Sequence, residues 1–263
     1  MGKEIKRYPE ALTRAFTQAA EMIVAASGRV VCLTGAGVSV DSGIPAFRGS
    51  QGLWDRYDPL EYAEIDNFRR NPEKVWGMLA EMLIVVERAV PNQTHKTLAE
   101  FEEKGWLQAV ITQNVDGLHQ AAGARRVIEF HGTSRNLVCL ECDWSWPRFS
   151  LVDSRMPPRC RRCNAILKPD VVFFGEQIPR PALLEATAAA EQARVMLVVG
   201  TSANVHPAAE MPVLTKKAGG RVIEINLEPT PLSGRVADLT ILGPAAIGLS
   251  EIMQICERIA GHG

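Results

Sequence analysis

Apolar residues recur along this chain in two alternating rhythms. Leu12, Phe16, Ala19, Ala20, Ile23 and Val24 fall at helical spacing and predict an amphipathic first helix. Val30 to Leu33 is instead a short unbroken apolar run, the pattern of a parallel strand buried on both faces. Helical spacing returns in Val75, Trp76, Leu79, Met82, Leu83 and Val86, behind an Asn71-Pro72 start in which Asn caps and Pro takes the first helical position. A helix from Thr94 with Leu98 and Phe101 leads into a strand at 108–112, and 127–130 is a further apolar run. Strands are expected again at 171–174, 195–199, 221–226 and 239–242, with helices at 182–193, 207–218 and from about Gly248. Strand and helix alternation of this kind predicts an α/β fold, a parallel sheet with helices on both faces. The stretch 133–168 breaks the rhythm. It holds two cysteine pairs, two tryptophans and several Arg and Pro without helical period, and reads as an inserted module.

Composition adds limits. At 263 residues the chain fits one large domain or a domain with an insertion, and 46% apolar residues supply a core. A formal charge of −1 gives no global field to attract nucleic acid or an anionic membrane. No apolar run reaches the length of a membrane span, and the first residues lack an apolar signal core. Lys6 occupies the position where a myristoylation signal needs Ser or Thr. A cytoplasmic protein, a compact core without long polar tails, is the expectation.

The six cysteines separate into two classes. Cys139-x-x-Cys142 and Cys160-x-x-Cys163 lie with seventeen residues between the pairs, whereas Cys32 and Cys256 sit in apolar segments as core thiols. Each CxxC turn aims two thiolates at one point, so two turns complete a tetrahedral zinc site of the ribbon type. Four thiolates leave no open position, so this zinc is structural. Arg148, Arg155, Arg159, Arg161 and Arg162 nearby raise a binding-module alternative, which the lack of net basic charge disfavours.

Two polar stretches carry candidate chemistry. Thr34-Gly35-Ala36-Gly37 follows the strand at 30–33, with glycines where backbone turns tightly and approaches a phosphate. The pattern is incomplete as a dinucleotide fingerprint, because Val40 stands where a third glycine belongs and no acidic strand end follows at the usual distance. Gln113-Asn114-Val115-Asp116 ends the strand at 108–112, where open α/β sheets bind ligands. Of five histidines, His95 and His119 lie in helical contexts and read as structural, and His262 is in the tail.

Taken together, Gly35-Ala36-Gly37-Val38-Ser39, Ser42-Gly43-Ile44-Pro45-Ala46-Phe47-Arg48-Gly49 and Thr112-Gln113-Asn114-Val115-Asp116-Gly117-Leu118-His119 closely resemble sirtuins. Glu129-Phe130-His131-Gly132, the cysteine pairs, the 168–176 stretch, Gly200-Thr201-Ser202 and Ile225-Asn226 extend the resemblance over nearly the whole chain. One departure is Ala46, where many relatives carry Asp. The resemblance implies a Rossmann-like NAD-binding domain over 1–44, 96–133 and 169–263, a cofactor loop and helical insert over 45–95, and a zinc ribbon over 134–168. It implies NAD-dependent removal of acyl groups from protein lysines, giving nicotinamide, O-acyl-ADP-ribose and free lysine through an imidate.

In that scheme His131 is the general base, which suits an imidazole with a pKa near working pH. Asn114 and Asp116 work beside the ribose and the nicotinamide amide, with Gln113 near the ribose hydroxyls. Phe47 and Arg48 cover the nicotinamide side and keep water out. Gly35, Ala36, Gly37, Ser39, Gly200, Thr201, Ser202, Asn226, Glu228 and Ala245 complete the implied cofactor contacts. Val172, Phe174, Gly175 and Glu176 form one wall of the lysine tunnel and an edge for peptide pairing, and His206 lies near the peptide. Relatives that prefer succinyl-lysine carry Tyr and Arg at positions that fall here on Leu79 and Met82. A carboxylate buried there has no guanidinium to pair with, so acetyl or longer aliphatic groups are favoured. Two alternatives use the same residues otherwise: ADP-ribosyl transfer to a protein, and a non-catalytic NAD or zinc-ribbon binding protein.

Overall fold

The computed structural model describes residues 8–46, 53–147 and 156–261. Phe47 and Arg48, expected over the cofactor, lie outside the described residues, as do Arg148, Arg155 and His262. Helix α1 spans Glu10–Ala25 and leads to strand β1, Val30–Thr34. Four helices follow, α2 (Leu53–Arg56), α3 (Pro59–Tyr62), α4 (Ile65–Arg70) and α5 (Pro72–Arg88), then α6 (Gln93–Glu103) and β2 (Leu107–Thr112). The short α7 (Leu118–Ala121) precedes β3 (Val127–Glu129), and β4 (Gly132–Cys139), β5 (Ser145–Pro147) and β6 (Leu167–Val171) come next. The chain ends with α8 (Arg180–Gln192), β7 (Val195–Val199), α9 (Met211–Lys217), β8 (Arg221–Asn226), β9 (Leu239–Leu242) and α10 (Ala245–Ala260).

Six strands form one parallel sheet in the order β3-β2-β1-β7-β8-β9. Chain order runs outward from β1 in one direction and from β7 in the other. Their carboxyl ends therefore flank the crevice where such sheets take ligands. Every residue of β1 and of β7 is buried, as their unbroken apolar runs require. One face of the sheet packs on α1, α6 and α10 through Phe16, Ile23, Leu98, Phe101, Leu249 and Ile252. The other face packs on α8 and α9 through Ala186, Ala190 and Met211. Cys32 and Cys256 are buried in the first core, where burial pushes both thiols well up.

A third core belongs to a smaller unit. Ile65, Phe68, Val75, Trp76 and Leu79 from the helical insert pack with Leu137, Cys139 and Leu167 of the three-stranded sheet β5-β4-β6 and with Cys160 and Phe173 beside it. Trp76 Nε1 donates to the Leu167 carbonyl at 2.7 Å, joining α5 to β6. Insert and ribbon thus share one interior.

The strand expected at 171–174 is corrected. β6 covers Leu167–Val171 and pairs antiparallel with β4, so it belongs to the small sheet, and the cut at 168/169 falls within it. Beyond β6, Phe174 makes only an isolated bridge to Glu64. The helix expected at 207–218 is a 3₁₀ turn at Ala208–Glu210 followed by α9, and α10 begins at Ala245, three residues before Gly248. Among the described residues, no helix is long and apolar enough to cross a membrane.

Candidate active site

The glycine loop after β1 does not open an α-helix. Ala36–Ser42 is a 3₁₀ segment, closed by Gly43 at φ +87°. Its glycines answer to a neighbouring loop. The Gly37 N–H donates to the Gly200 carbonyl at 2.9 Å. A Cβ on Gly37 would lie 2.7 Å from that oxygen, and one on Gly35 would lie 2.7 Å from Thr201 Cβ. Gly200, at φ +59°, is equally confined, since a Cβ there would meet the Val38 nitrogen at 2.7 Å. The two loops at the ends of β1 and β7 therefore touch closely, Gly37 against the Gly200 backbone and Gly35 against the Thr201 side chain. Val40, in the place of the third glycine, is 48% exposed and packs no helix on the sheet.

Behind these loops lies a buried polar network. Ser39, 1% exposed, donates its hydroxyl proton to Asp116 Oδ2 at 2.7 Å and accepts from Asn114 Nδ2 at 3.0 Å. The network continues to His95, whose Nε2 is 3.4 Å from Ser39 Oγ. His95 Nδ1 accepts from the Asn92 N–H at 3.3 Å, and Ser39 has its one proton on Asp116. Both ends therefore assign the proton of neutral His95 to Nε2. His119 Nε2 meets Thr34 Oγ1 at 3.0 Å, and the two imidazoles contact edge to face at 4.8 Å. Burial lowers the pKa of both rings. That of His119 falls to about 3, by desolvation first and the neighbouring His95 second.

Ser39, expected among the cofactor contacts, is turned inward and holds Asp116 and Asn114. His95 and His119, read as structural, stand against two of the site's side chains. The Asn92-x-x-His95 spacing was the available signal, because it forms a reciprocal cap at the start of α6.

The residues at the end of β2 converge on the crevice. Gln113 Nε2 donates to the Thr34 carbonyl at 3.2 Å and to Thr201 Oγ1 at 3.0 Å. Asn114, 6% exposed, also donates to the Gly35 carbonyl at 3.1 Å. Its Oδ1 is buried and has no hydrogen-bond partner among the described residues. A buried acceptor at the switch point fits a ligand that brings a hydroxyl or amide donor, as NAD does. Asp116 Oδ1 accepts from the Leu118 N–H at 2.9 Å. On β8, Asn226 Nδ2 reaches the Thr201 carbonyl at 3.4 Å, while Ser202 and Glu228 are exposed and Ala245 begins α10.

His131 stands between β3 and β4, just before Gly132 at φ +77°. A Cβ at 132 would lie 2.1 Å from the Asp170 carbonyl, so only glycine lets the chain turn there from the large sheet to the small one. His131 Nδ1 is 3.1 Å from the Gln113 carbonyl. A carbonyl only accepts, so Nδ1 carries the proton and Nε2 keeps its lone pair. Burial lowers the pKa of this ring, against a smaller opposing effect of the Gln113 hydrogen bond. The imidazole is neutral at neutral pH and oriented as a base.

The remaining site residues form two groups. Val172, Phe174, Gly175 and Glu176 follow β6, and the Val172 N–H donates to the His131 carbonyl at 2.9 Å. Leu79 is buried and Met82 half-buried in the core that also contains Phe173 and Val171. His206 is exposed, with its Nδ1 3.0 Å from Glu210 Oε1.

The four paired cysteines converge as expected. Their sulfurs lie within 4.8 Å of one another, with Cys139 to Cys163 at 3.4 Å and Cys142 to Cys160 at 3.7 Å. A tetrahedral zinc with thiolates at about 2.3 Å spaces its sulfurs by about 3.8 Å, so the set fits zinc.

Comparison with known proteins agrees with this geometry. A family profile described as the Sir2 family matches residues 35–207. An NAD-dependent protein deacylase of Thermococcus kodakarensis is 43% identical over 241 residues, covering 89% of this chain and 93% of its own. A Sir2 homologue solved in complex with NAD superposes with a TM-score of 0.84 at 40% identity, covering 98% of this chain and 97% of its own. A Sir2 structure bound to a myristoylated histone peptide superposes with a TM-score of 0.79 at 36% identity, covering 95% and 99% of the two chains.

Proposed function

The chain belongs to the Sir2 family, and from that premise we propose that it is an NAD-dependent protein-lysine deacylase favouring acetyl or longer aliphatic groups over succinyl. The observation that carries the reading is His131: a neutral imidazole with its Nε2 lone pair free, held at the crevice between β1, β2 and β7. A protein that only bound NAD would have no use for such a base. When bound, NAD supplies an electrophilic ribose carbon and nicotinamide as the leaving group. Gln113 and Asn114 would hold the ribose, for which the unpartnered, buried Asn114 Oδ1 offers an acceptor. Asp116, fixed by Ser39 and the Leu118 N–H, would serve the carboxamide. His131 Nε2 takes the proton from a ribose hydroxyl.

Acylated peptides are the substrate class that a relative's peptide complex suggests. The acyl preference rests on Leu79 and Met82. Both join an apolar core with Phe173 and Val171 and offer no cation to a terminal carboxylate. Mass spectrometry of an acetyl-lysine peptide, with and without NAD and beside His131→Ala, tests the whole reading. NAD-dependent loss of acetyl, absent in the variant, supports it. Nicotinamide release without any peptide would instead assign ADP-ribosyl transfer or hydrolysis. Faster turnover of a matched succinyl peptide would overturn the acyl preference.

A further inference from the structure

Lys168 lies on β6 and is 3% exposed. Its Nζ donates to Glu176 Oε2 at 2.9 Å and to the Val171 carbonyl at 2.5 Å, and lies 4.6 Å from the centre of the Phe173 ring. The same Glu176 oxygen accepts from the Phe173 N–H at 2.8 Å. Taking an ammonium and a carboxylate out of water costs several kcal/mol per ion, on the order of what their pairing returns. An apolar pair of similar volume would fill this core as well or better. Stability alone therefore does not account for a lysine here.

Geometry does. Lys168 and Glu176 close the turn at 171–176 by tying its first carbonyl and its central N–H to its last side chain. The outside of the turn is fastened to the helical insert, where Phe174 N–H donates to Ala63 at 2.8 Å and its carbonyl accepts from Ile65 at 3.0 Å. The inside is fastened to His131 through the Val172 N–H. Among the described residues, the Val172 carbonyl and the Gly175 N–H then have no hydrogen-bond partner. Phe174 between them is 43% exposed. One acceptor and one donor thus stand next to the base on a braced turn. This is the inventory with which an edge pairs an extended peptide.

We propose that Lys168 and Glu176 are positioning residues for the acylated peptide: their ion pair fixes the turn that presents the Val172 carbonyl and the Gly175 N–H. The inference rests on the deacylase reading. It also moves Glu176 from the substrate's contacts to their support. Steady-state kinetics with an acetyl-lysine peptide on the full zinc-loaded chain tests it, using K168M, E176Q and K168R with melting temperatures recorded alongside.

The expected result is a peptide KM raised about tenfold or more in K168M and E176Q, with KM for NAD within about twofold. K168R keeps the charge in a larger side chain, so where its melting temperature matches the parent's its peptide KM should rise less than that of K168M, and an equal rise would count against the ion pair. An unchanged peptide KM in E176Q, or a parallel rise in both KM values, would overturn the proposal. Should K168M not fold, E176Q carries the test, because its amide oxygen still accepts from the Phe173 N–H. Should the parent protein not deacylate at all, the deacylase reading fails by itself. Direct titration of the peptide into the parent and E176Q then decides the turn's role, with equal affinities overturning it.

Discussion

At the scale of single residues, the site depends on which atoms carry protons. In the proposed reaction His131 serves as the base, because its Nδ1–H donates to the Gln113 carbonyl and burial favours the neutral ring. Its pKa is lowered from the usual 6.5, so the neutral form persists somewhat below that pH and is lost as pH falls further. The acid limb of kcat/KM for deacylation should therefore lie below about 6.5, and an acid limb above that value would contradict the assignment. His131→Ala should reduce kcat by about 100-fold or more, while NAD affinity measured by titration changes little. Ser39 is the second pivot. Its single proton goes to Asp116, and its lone pairs receive Asn114 and His95. Ser39→Ala removes all three bonds and leaves a half-buried carboxylate and a buried amide short of partners. A rise in KM for NAD together with a fall in kcat is expected, and an unchanged KM for NAD would show that the network serves stability only.

At the scale of elements, function depends on two loops and one helix. The loops after β1 and β7 meet at Gly37 and Gly200 with no room for a side chain. Gly37→Ala sets a methyl 2.7 Å from backbone that cannot swing aside. Destabilisation by about 1–3 kcal/mol, the usual cost of overpacking, and weaker NAD binding should follow in urea melts and titration. Preserved NAD affinity would mean that the loops move independently. The proposed acyl preference rests on helix α5. Leu79→Tyr with Met82→Arg places a hydroxyl and a guanidinium beside the turn at 171–176. This double variant should gain succinyl-peptide turnover and lose acetyl turnover, as read by parallel kinetics on matched peptides.

At the scale of the whole molecule, the two units answer to different perturbations. Cys139 and Cys160 are part of the core shared by insert and ribbon. Removing zinc by chelation should therefore loosen that unit and abolish turnover. The six-stranded sheet, with its own two cores, should keep most of its far-ultraviolet signal. The large unit responds to acid. His95 and His119 are buried neutral, whereas in the unfolded chain they protonate near 6.5. Their contribution is complete above that pH and is lost progressively as pH falls toward about 3, where His119 finally protonates in the fold. Urea midpoints should drop between pH 7 and pH 5, and less steeply in His119→Gln. Equal slopes would exclude His119 as the cause.

The sequence by itself determined the central buried strands and the zinc ligands. Unbroken apolar runs at 30–33 and 195–199 state buried parallel strands, and two CxxC turns state a tetrahedral site, because period and spacing are local properties of the chain. Gln113, Asn114 and Asp116 were legible as a polar strand end at the ligand side of the sheet, and His131 joined them through the family resemblance. What the tertiary structure decided lies between segments distant in the chain. That Gly35 and Gly37 answer to Gly200 and Thr201, and that Ser39 faces Asp116, follows from β1 lying between β2 and β7. The residues at 171–174 carry a strand-like apolar pattern, yet only the pairing of β6 with β4 assigns them to the small sheet's end. Burial of Lys168 was likewise invisible, since a lysine beside a proline reads as surface until Glu176 and Phe173 close over it. Periodicity specifies what a segment can become, and long-range packing specifies which groups lose water and must find partners.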